Sequence, residues 1–275
     1  MKKKSILSIL LVGALVIGLV GCGASSDKTG SANDKTIKIG VTPVPHKGIA
    51  EVAQKELEAK GYTVEIIEFS DYVTPNTSLE EGDLDANYFQ TIEYLEQSNE
   101  GKGLHLTYTK GVHLEPLAAY SKTIKDLNEL KDESTVAVPN DGSNEGRALR
   151  LLEESGLIKV KEGALVTVKD IIENKKNLKF EELEAAQLPR VLEEVDLAVI
   201  NGNYALEAGL SPANDAVAIE DSTSEAIKNY YNVIAVREGT EDTQKIKDLT
   251  EALTSDAVKQ YIEDTYKDGS VIPVF

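Results

Sequence analysis

Four short stretches of this sequence gather side chains able to grip a small molecule. Pro139-Asn140-Asp141-Gly142-Ser143-Asn144-Glu145-Gly146-Arg147 joins a strand pattern to a helix pattern and places Arg147 in the helix's first turn. A helix N-terminus favours an anion through its free N–H groups and its dipole. An arginine beside it can hold a carboxylate through two parallel hydrogen bonds. The plainer alternative is a surface arginine paired with Glu145 or Glu154.

Asp83-Leu84-Asp85-Ala86-Asn87-Tyr88-Phe89-Gln90 runs from a polar turn into Asn87, two aromatics and Gln90, at the expected start of a helix holding Tyr94 and Leu95. An amide beside rings suits a ligand with a polar head and an apolar tail; an N-terminal cap is the bland alternative. Phe69-Ser70-Asp71-Tyr72-Val73-Thr74-Pro75-Asn76 follows a strand, and Tyr72 there offers a ring face and a hydroxyl or simply packs on its own lobe. Val199-Ile200-Asn201-Gly202-Asn203-Tyr204 again ends an apolar strand. Asn201 could bridge an ammonium and a carboxylate, since an amide has a donor and an acceptor; a turn-forming Asn before Gly is the alternative.

Catalytic signatures are absent. There is no Gly-x-Ser-x-Gly, His-Glu-x-x-His, Gly-x-x-x-x-Gly-Lys or Gly-x-Gly-x-x-Gly, so an enzyme is not expected. His46, His105 and His113 are scattered, with no pair at ligand spacing, so no metal or cofactor is expected. Asp83 and Asp85 read as a solvated turn rather than a cation site.

These stretches need a scaffold, and strand and helix patterns alternate throughout. Ile37-Lys38-Ile39-Gly40-Val41 has period two, 48–60 has helical spacing, and 62–69 is a second strand. A βαβ opening implies a parallel sheet with helices on its faces, and in such sheets ligands bind beyond the carboxyl ends of the strands. Further strands are expected at 135–138, 180–183, 197–200, 217–219 and 232–236. Helices are expected at 148–155, 188–193, 204–208, 243–253 and 255–266. Two extended apolar segments, 116–120 and 231–236, sit where a chain could leave one lobe and return. The first lobe then combines 36–117 with 236–275, and the second is 118–235.

The chain's beginning sets its compartment. Lys2, Lys3 and Lys4 precede an apolar run over 6–20, and Gly21-Cys22 follows. That is the layout of a secretory signal peptide, 1–21, cut before a cysteine that would carry a diacylglycerol. Cys22 is the one cysteine in the chain, so it has no disulfide partner and lipidation accounts for it. Two acyl chains anchor stably where one does not. Residues 22–35, rich in Gly, Ser, Ala, Asp and Lys, read as a flexible tether. The formal charge is −18, and removing residues 1–21, with three lysines and no acid, takes it to −21. Such a surface repels nucleic acid and anionic headgroups, so the membrane is a partner through the anchor alone.

The quoted stretches, with Leu-Glu-Ala-Ala-Gln-Leu-Pro-Arg at 183–190 and the cysteine that follows the signal, resemble the NlpA-type methionine-binding lipoproteins of ABC importers over nearly the whole mature length. The resemblance implies a two-lobed α/β periplasmic-binding-protein fold, type II-like, with the ligand in the interlobe cleft. It implies an extracytoplasmic, membrane-anchored protein that passes methionine to a permease and its ATPase. On it, Arg147 grips the ligand carboxylate and Asn201 and Asn87 hold the head. Tyr72 and Phe89 line the side-chain pocket, with Gln90 beside them, and Asn144 neighbours the ligand. Many relatives carry a His after the Phe-Gln pair where this chain has Thr91, so a methionine-containing dipeptide or another apolar amino acid is the alternative ligand.

Overall fold

The computed structural model describes residues 35–163 and 165–275; the expected signal peptide, Cys22 and nearly all of the tether lie outside them. The body opens with strand β1, Thr36–Val41, in which Ile37, Ile39 and Val41 are fully buried while Lys38 faces outward. A turn over Pro43–Lys47 leads into helix α1, Gly48–Ala59, which buries Ile49, Ala50, Ala53 and Leu57 at helical spacing. Gly61, at φ +85°, supplies the left-handed turn out of it. β2, Thr63–Glu68, then pairs parallel with β1.

Next come α2, Thr74–Glu81, β3, Ala86–Thr91, α3, Ile92–Lys102, and β4, Leu106–Leu114. The chain then builds β5, Ala118–Tyr120, β6, Thr135–Pro139, α4, Gly142–Glu154, and a small ribbon of β7, Lys159–Val160, and β8, Ile171–Glu173. β9, Lys179–Leu183, β10, Leu197–Ile200, α5, Gly202–Glu207, α6, Pro212–Asp215, and β11, Ala216–Ile219, complete the second region. The chain returns through β12, Tyr231–Arg237, α7, Gln244–Leu253, α8, Asp256–Thr265, and β13, Ile272–Pro273.

Two main sheets result, of order β13-β4-β12-β3-β1-β2 and β11-β5-β10-β6-β9. Each has its own core. Ile37, Ile39 and Tyr88 pack with Ile49 and Leu57 of α1, Leu249 of α7 and Ile262 of α8. Val136, Val138, Leu197 and Val199 pack with Leu149 and Leu152 of α4. Among the described residues no helix is long and apolar enough to cross a membrane.

Four stretches depart from the sequence expectation. Residues 86–91 form a buried strand rather than a helix start, because β1 pairs with one edge and β12 with the other. The helix begins at Ile92, where Thr91 caps it by accepting the Tyr94 N–H at 3.2 Å. Helix α4 starts at Gly142, capped by Asp141 through the Asn144 N–H at 3.0 Å, so Arg147 sits in its second turn and not its first. The stretch 188–193 is a run of turns after a short 3-10 turn at Ala185–Gln187; Pro189 has no N–H to continue a helix. Residues 231–235, assigned from sequence to the second lobe, pair with β3 and β4 in the six-stranded sheet.

Candidate functional site

A cavity lies where the carboxyl ends of parallel strands from both sheets meet. Tyr72 follows β2, and Phe89 and Thr91 end β3. Asn144 and Arg147 follow β6, and Asn201 and Asn203 follow β10; all seven line the cavity. The topology therefore brings six of the seven expected ligand contacts, Tyr72, Phe89, Gln90, Asn144, Arg147 and Asn201, to one wall.

Arg147 is buried, and its partner is neither Glu145 nor Glu154. It donates through Nε to Glu220 Oε1 at 2.9 Å and through Nη2 to Glu220 Oε2 at 2.6 Å. Nη2 also reaches the Glu115 carbonyl at 3.0 Å, and the guanidinium lies 4.3 Å from the centre of the Tyr230 ring. Burial works against its charge, but Glu220 outweighs burial and raises its pKa. These bonds use Nε and Nη2, and none of them uses Nη1.

Beside it, Asn201 donates Nδ2 to Asn144 Oδ1 at 2.8 Å, while its own Oδ1 is buried without a partner. Asn144 spends its Nδ2 on Asp141 at 2.9 and 3.0 Å. Asn203 accepts the Tyr72 hydroxyl at 2.5 Å and keeps a buried, unpartnered Nδ2. A buried polar atom without a partner is costly, so an acceptor at Asn201 and a donor at Asn203 in one cavity call for a ligand carrying both functions.

The other half of the cavity is aromatic. The Tyr72 ring lies 5.8 Å from Phe89, 5.6 Å from Tyr94 and 5.0 Å from Tyr204. Burial holds the Tyr72 hydroxyl well above the usual tyrosine range, so it stays protonated and donates. Tyr94 in turn donates to the Tyr72 carbonyl at 2.9 Å. Such a box suits an apolar or thioether side chain.

Asn87 is placed differently from its neighbours. It is fully buried, donates to Pro75 O at 3.2 Å and Asn76 Oδ1 at 2.8 Å, and accepts from Gln90 Nε2 at 2.8 Å. Gln90 also exchanges bonds with Asn76, at 2.8 and 2.6 Å. The three amides form a closed cluster that stiffens the wall, and Asn87 is not among the residues lining the cavity.

Sequence reasoning missed Glu115, just past β4, which also lines the cavity. It is buried, and burial pushes its carboxyl up to about 7 against the opposing pull of His46, Arg147 and the Asn203 N–H. Two of the histidines that look scattered in sequence meet here. His113 Nε2 is 2.8 Å and His46 Nε2 3.5 Å from Glu115 Oε1, and the rings are 5.0 Å apart. The side chains of His46, His113 and Glu115 offer donor atoms within 4.8 Å of one another. Every ring nitrogen already has a hydrogen-bond partner, so the geometry is that of a closed hydrogen-bonded group rather than of a metal centre. A lone Glu between Leu114 and Pro116 carries no sequence signal; Gly202 is the one hint, since a Cβ there would lie 2.6 Å from Glu115 Oε2.

Residues 37–275 match the model of the NlpA lipoprotein family. The chain belongs to the NlpA lipoproteins. It is 45% identical over 267 residues to the D-methionine-binding lipoprotein MetQ of Escherichia coli K12, covering 94% of this chain and 95% of that protein. A nutrient-binding protein from Burkholderia cenocepacia, solved bound to methionine, superposes with a TM-score of 0.83 at 46% identity, over 87% of this chain and all (100%) of that one. A periplasmic substrate-binding protein of an ABC transporter from Coxiella burnetii superposes with a TM-score of 0.82 at 42% identity, over 86% of this chain and 100% of that one. This NlpA lipoprotein thus has the two-lobed α/β fold of substrate-binding proteins and is not an enzyme. Thr91 lines the cavity and caps α3 at once.

Proposed function

We propose that this NlpA lipoprotein captures a free amino acid with an apolar side chain, methionine first among them, and delivers it to an ABC permease driven by its ATPase. One observation carries the reading: buried hydrogen-bonding atoms of both signs, at Asn201, Asn203, Arg147 and Glu115, share a cavity with an aromatic box. The ligand carboxylate goes to Arg147 Nη1 and Asn203 Nδ2, and the ammonium to Asn201 Oδ1 and Glu115. The side chain goes between Tyr72, Phe89 and Tyr94. Related proteins named for methionine support the choice of ligand.

The two lobes are those built on the two sheets, and the cavity closes between them. Tyr72 to Asn203 and Tyr204 to the Ser70 carbonyl (3.2 Å) tie one to the other. A ligand that touches both lobes makes all its contacts only in the closed state and so shifts that population. The anchor is a diacylglycerol on Cys22, on the extracytoplasmic face. Cys22→Ala should release the protein into the soluble fraction; continued membrane retention would count against it.

The test is mass spectrometry of whatever leaves the denatured, detergent-purified protein, followed by calorimetric titration of the stripped protein with methionine. Methionine co-purifying and rebinding tightly is the expected result. Thr91 in the wall favours a second reading: if a methionine-containing dipeptide or another apolar amino acid is recovered instead, the importer role stands and the ligand assignment falls.

A further inference from the structure

Behind the cavity wall runs a chain of five buried side chains. The Tyr88 hydroxyl is 2.5 Å from His113 Nδ1, and His113 Nε2 is 2.8 Å from Glu115 Oε1. On the other side His46 Nε2 is 3.5 Å from the same oxygen and 3.1 Å from Asn232 Oδ1. His46 Nδ1 then meets Thr42 Oγ1 at 2.7 Å.

The two outer hydroxyls fix where every proton sits. Tyr88 and Thr42 are fully buried, and among the described residues each hydroxyl has one hydrogen-bond partner, an imidazole Nδ1. A buried O–H left undonated is costly, so both hydroxyls donate and both Nδ1 atoms accept. Burial holds His46 at about 4 and His113 at about 3, so both rings are neutral and each carries its single proton on Nε2. His113 Nε2–H therefore donates to Glu115 Oε1, and His46 Nε2–H donates to Asn232 Oδ1 with Glu115 Oε1 as its farther neighbour at 3.5 Å. A proton on Glu115 Oε1 would reverse this order: it would be donated to His113 Nε2, move that ring's proton to Nδ1 and leave the Tyr88 proton without an acceptor, so a proton taken up by Glu115 sits on Oε2.

We propose that Tyr88 and Thr42 are positioning residues which, by fixing the tautomers of His113 and His46, turn two N–H groups toward Glu115 Oε1, favour its carboxylate form and so favour ligands that carry a free amine. The inference rests on the assignment of Glu115 to the ligand's amine. The groups facing Glu115 are His46 from the 43–47 turn, His113 from β4, Arg147 from α4, the Asn203 N–H from α5 and Asn232 from β12. The Tyr72, Tyr88 and Tyr266 hydroxyls also sense its charge, and all three are held above their usual range, chiefly by burial. Oε1 is fully engaged by the relay, which leaves Oε2, beside Gly202, for the ligand. None of the four outer residues, Tyr88, His113, His46 and Thr42, lines the cavity, so their influence on binding passes through Glu115.

Two measurements on the full-length protein in detergent decide it. The first needs no ligand: imidazole 15N shifts report tautomers directly, and the chain has three histidines. The buried pair should appear as Nε2–H tautomers in the wild type, and Tyr88→Phe should shift His113 toward the Nδ1–H form. An Nδ1–H tautomer for His113 in the wild type overturns the proposal. The second compares L-methionine with its des-amino analogue, 4-(methylthio)butanoate. Tyr88→Phe and Thr42→Val should each weaken methionine by about three- to tenfold, the worth of one hydrogen bond, and leave the analogue within about twofold. Equal losses for both ligands would mark the residues as merely structural and refute the relay. If the wild type binds neither ligand but the tautomers are as expected, the methionine assignment fails while the relay stands.

Discussion

Methionine affinity should fall steeply as the medium is acidified through neutrality, because the amine site depends on an ionised Glu115. In the ligand-free protein that carboxyl titrates at about 7, raised by burial and held from rising further by His46, Arg147 and the Asn203 N–H. An ammonium gains from the carboxylate and gains little from the neutral acid, so affinity follows the ionised fraction. From a value of about 7, that fraction is roughly 0.9 at pH 8 and roughly 0.03 at pH 5.5. The ratio is about 30-fold, or about 2 kcal/mol. The amino acid itself does not change charge over this range, and both buried histidines titrate below it. Isothermal titration calorimetry at half-unit steps, in buffers of different ionisation enthalpy, would give both the affinity and the protons released. About one proton should leave per methionine bound near pH 6 and almost none at pH 8. Glu115→Gln should flatten the profile at the weak, acidic level. A wild-type affinity constant within threefold from pH 5.5 to 8, with no proton release, would refute the reasoning.

Arg147→Ala should cost ~2–5 kcal/mol of binding, since it strips the ligand carboxylate of its donor, and should lower the melting temperature too, because Glu220 is left without its bidentate partner; calorimetry and thermal melts read the two effects. Gly202→Ala places a methyl 2.6 Å from Glu115 Oε2 and 2.7 Å from its Cβ. It should abolish measurable methionine binding while costing about 1–3 kcal/mol in denaturant melts. The ligand-free protein should gain stability between about pH 4.5 and 6.5. Over that window the unfolded chain protonates His46 and His113, whose folded values lie at about 4 and 3. The folded protein binds one proton in return, on Glu115, whose value is raised to about 7. The difference of about one proton gives a slope of roughly 1.4 kcal/mol per pH unit, rising with pH, and a flat or falling curve in denaturant melts would contradict it.

The residues that sequence could assign to the site share a local signature. Tyr72, Arg147 and Asn201 each lie in a stretch that follows an apolar run, and that position alone predicts the open end of a parallel sheet. The elements were legible where period and cap agree, as in α7 and α8, whose Thr243 and Ser255 caps accept their N-terminal N–H groups. Residues 86–91 were not, because a buried strand flanked on both sides takes its identity from β1 and β12 rather than from its own pattern. Arg147's partner was invisible for a similar reason: Glu220 is 73 positions away. The histidines failed hardest. His46 and Asn232 are 186 positions apart and bond only because the chain returns to its first sheet through β12.

That return also explains how so acidic a protein can hold an amino acid. Among the described residues Glu115, Glu145 and Arg147 are the buried members of the Asp, Glu, Lys and Arg set, so most of the chain's acidic excess there lies where water and salt screen it. Inside the cavity each charged group has partners before any ligand arrives. Arg147 is neutralised by Glu220, and Glu115 rests on neutral N–H donors instead of a cation. On the proposed placement a zwitterion adds no net charge to such a site, yet it gives Arg147 Nη1 an anion and Glu115 Oε2 a cation. A ligand lacking either end leaves one of those groups buried and unmatched, a penalty set by desolvation rather than by distant charge. Selectivity for the amino-acid head therefore comes from the buried pairs, and the surface charge is free to serve solubility.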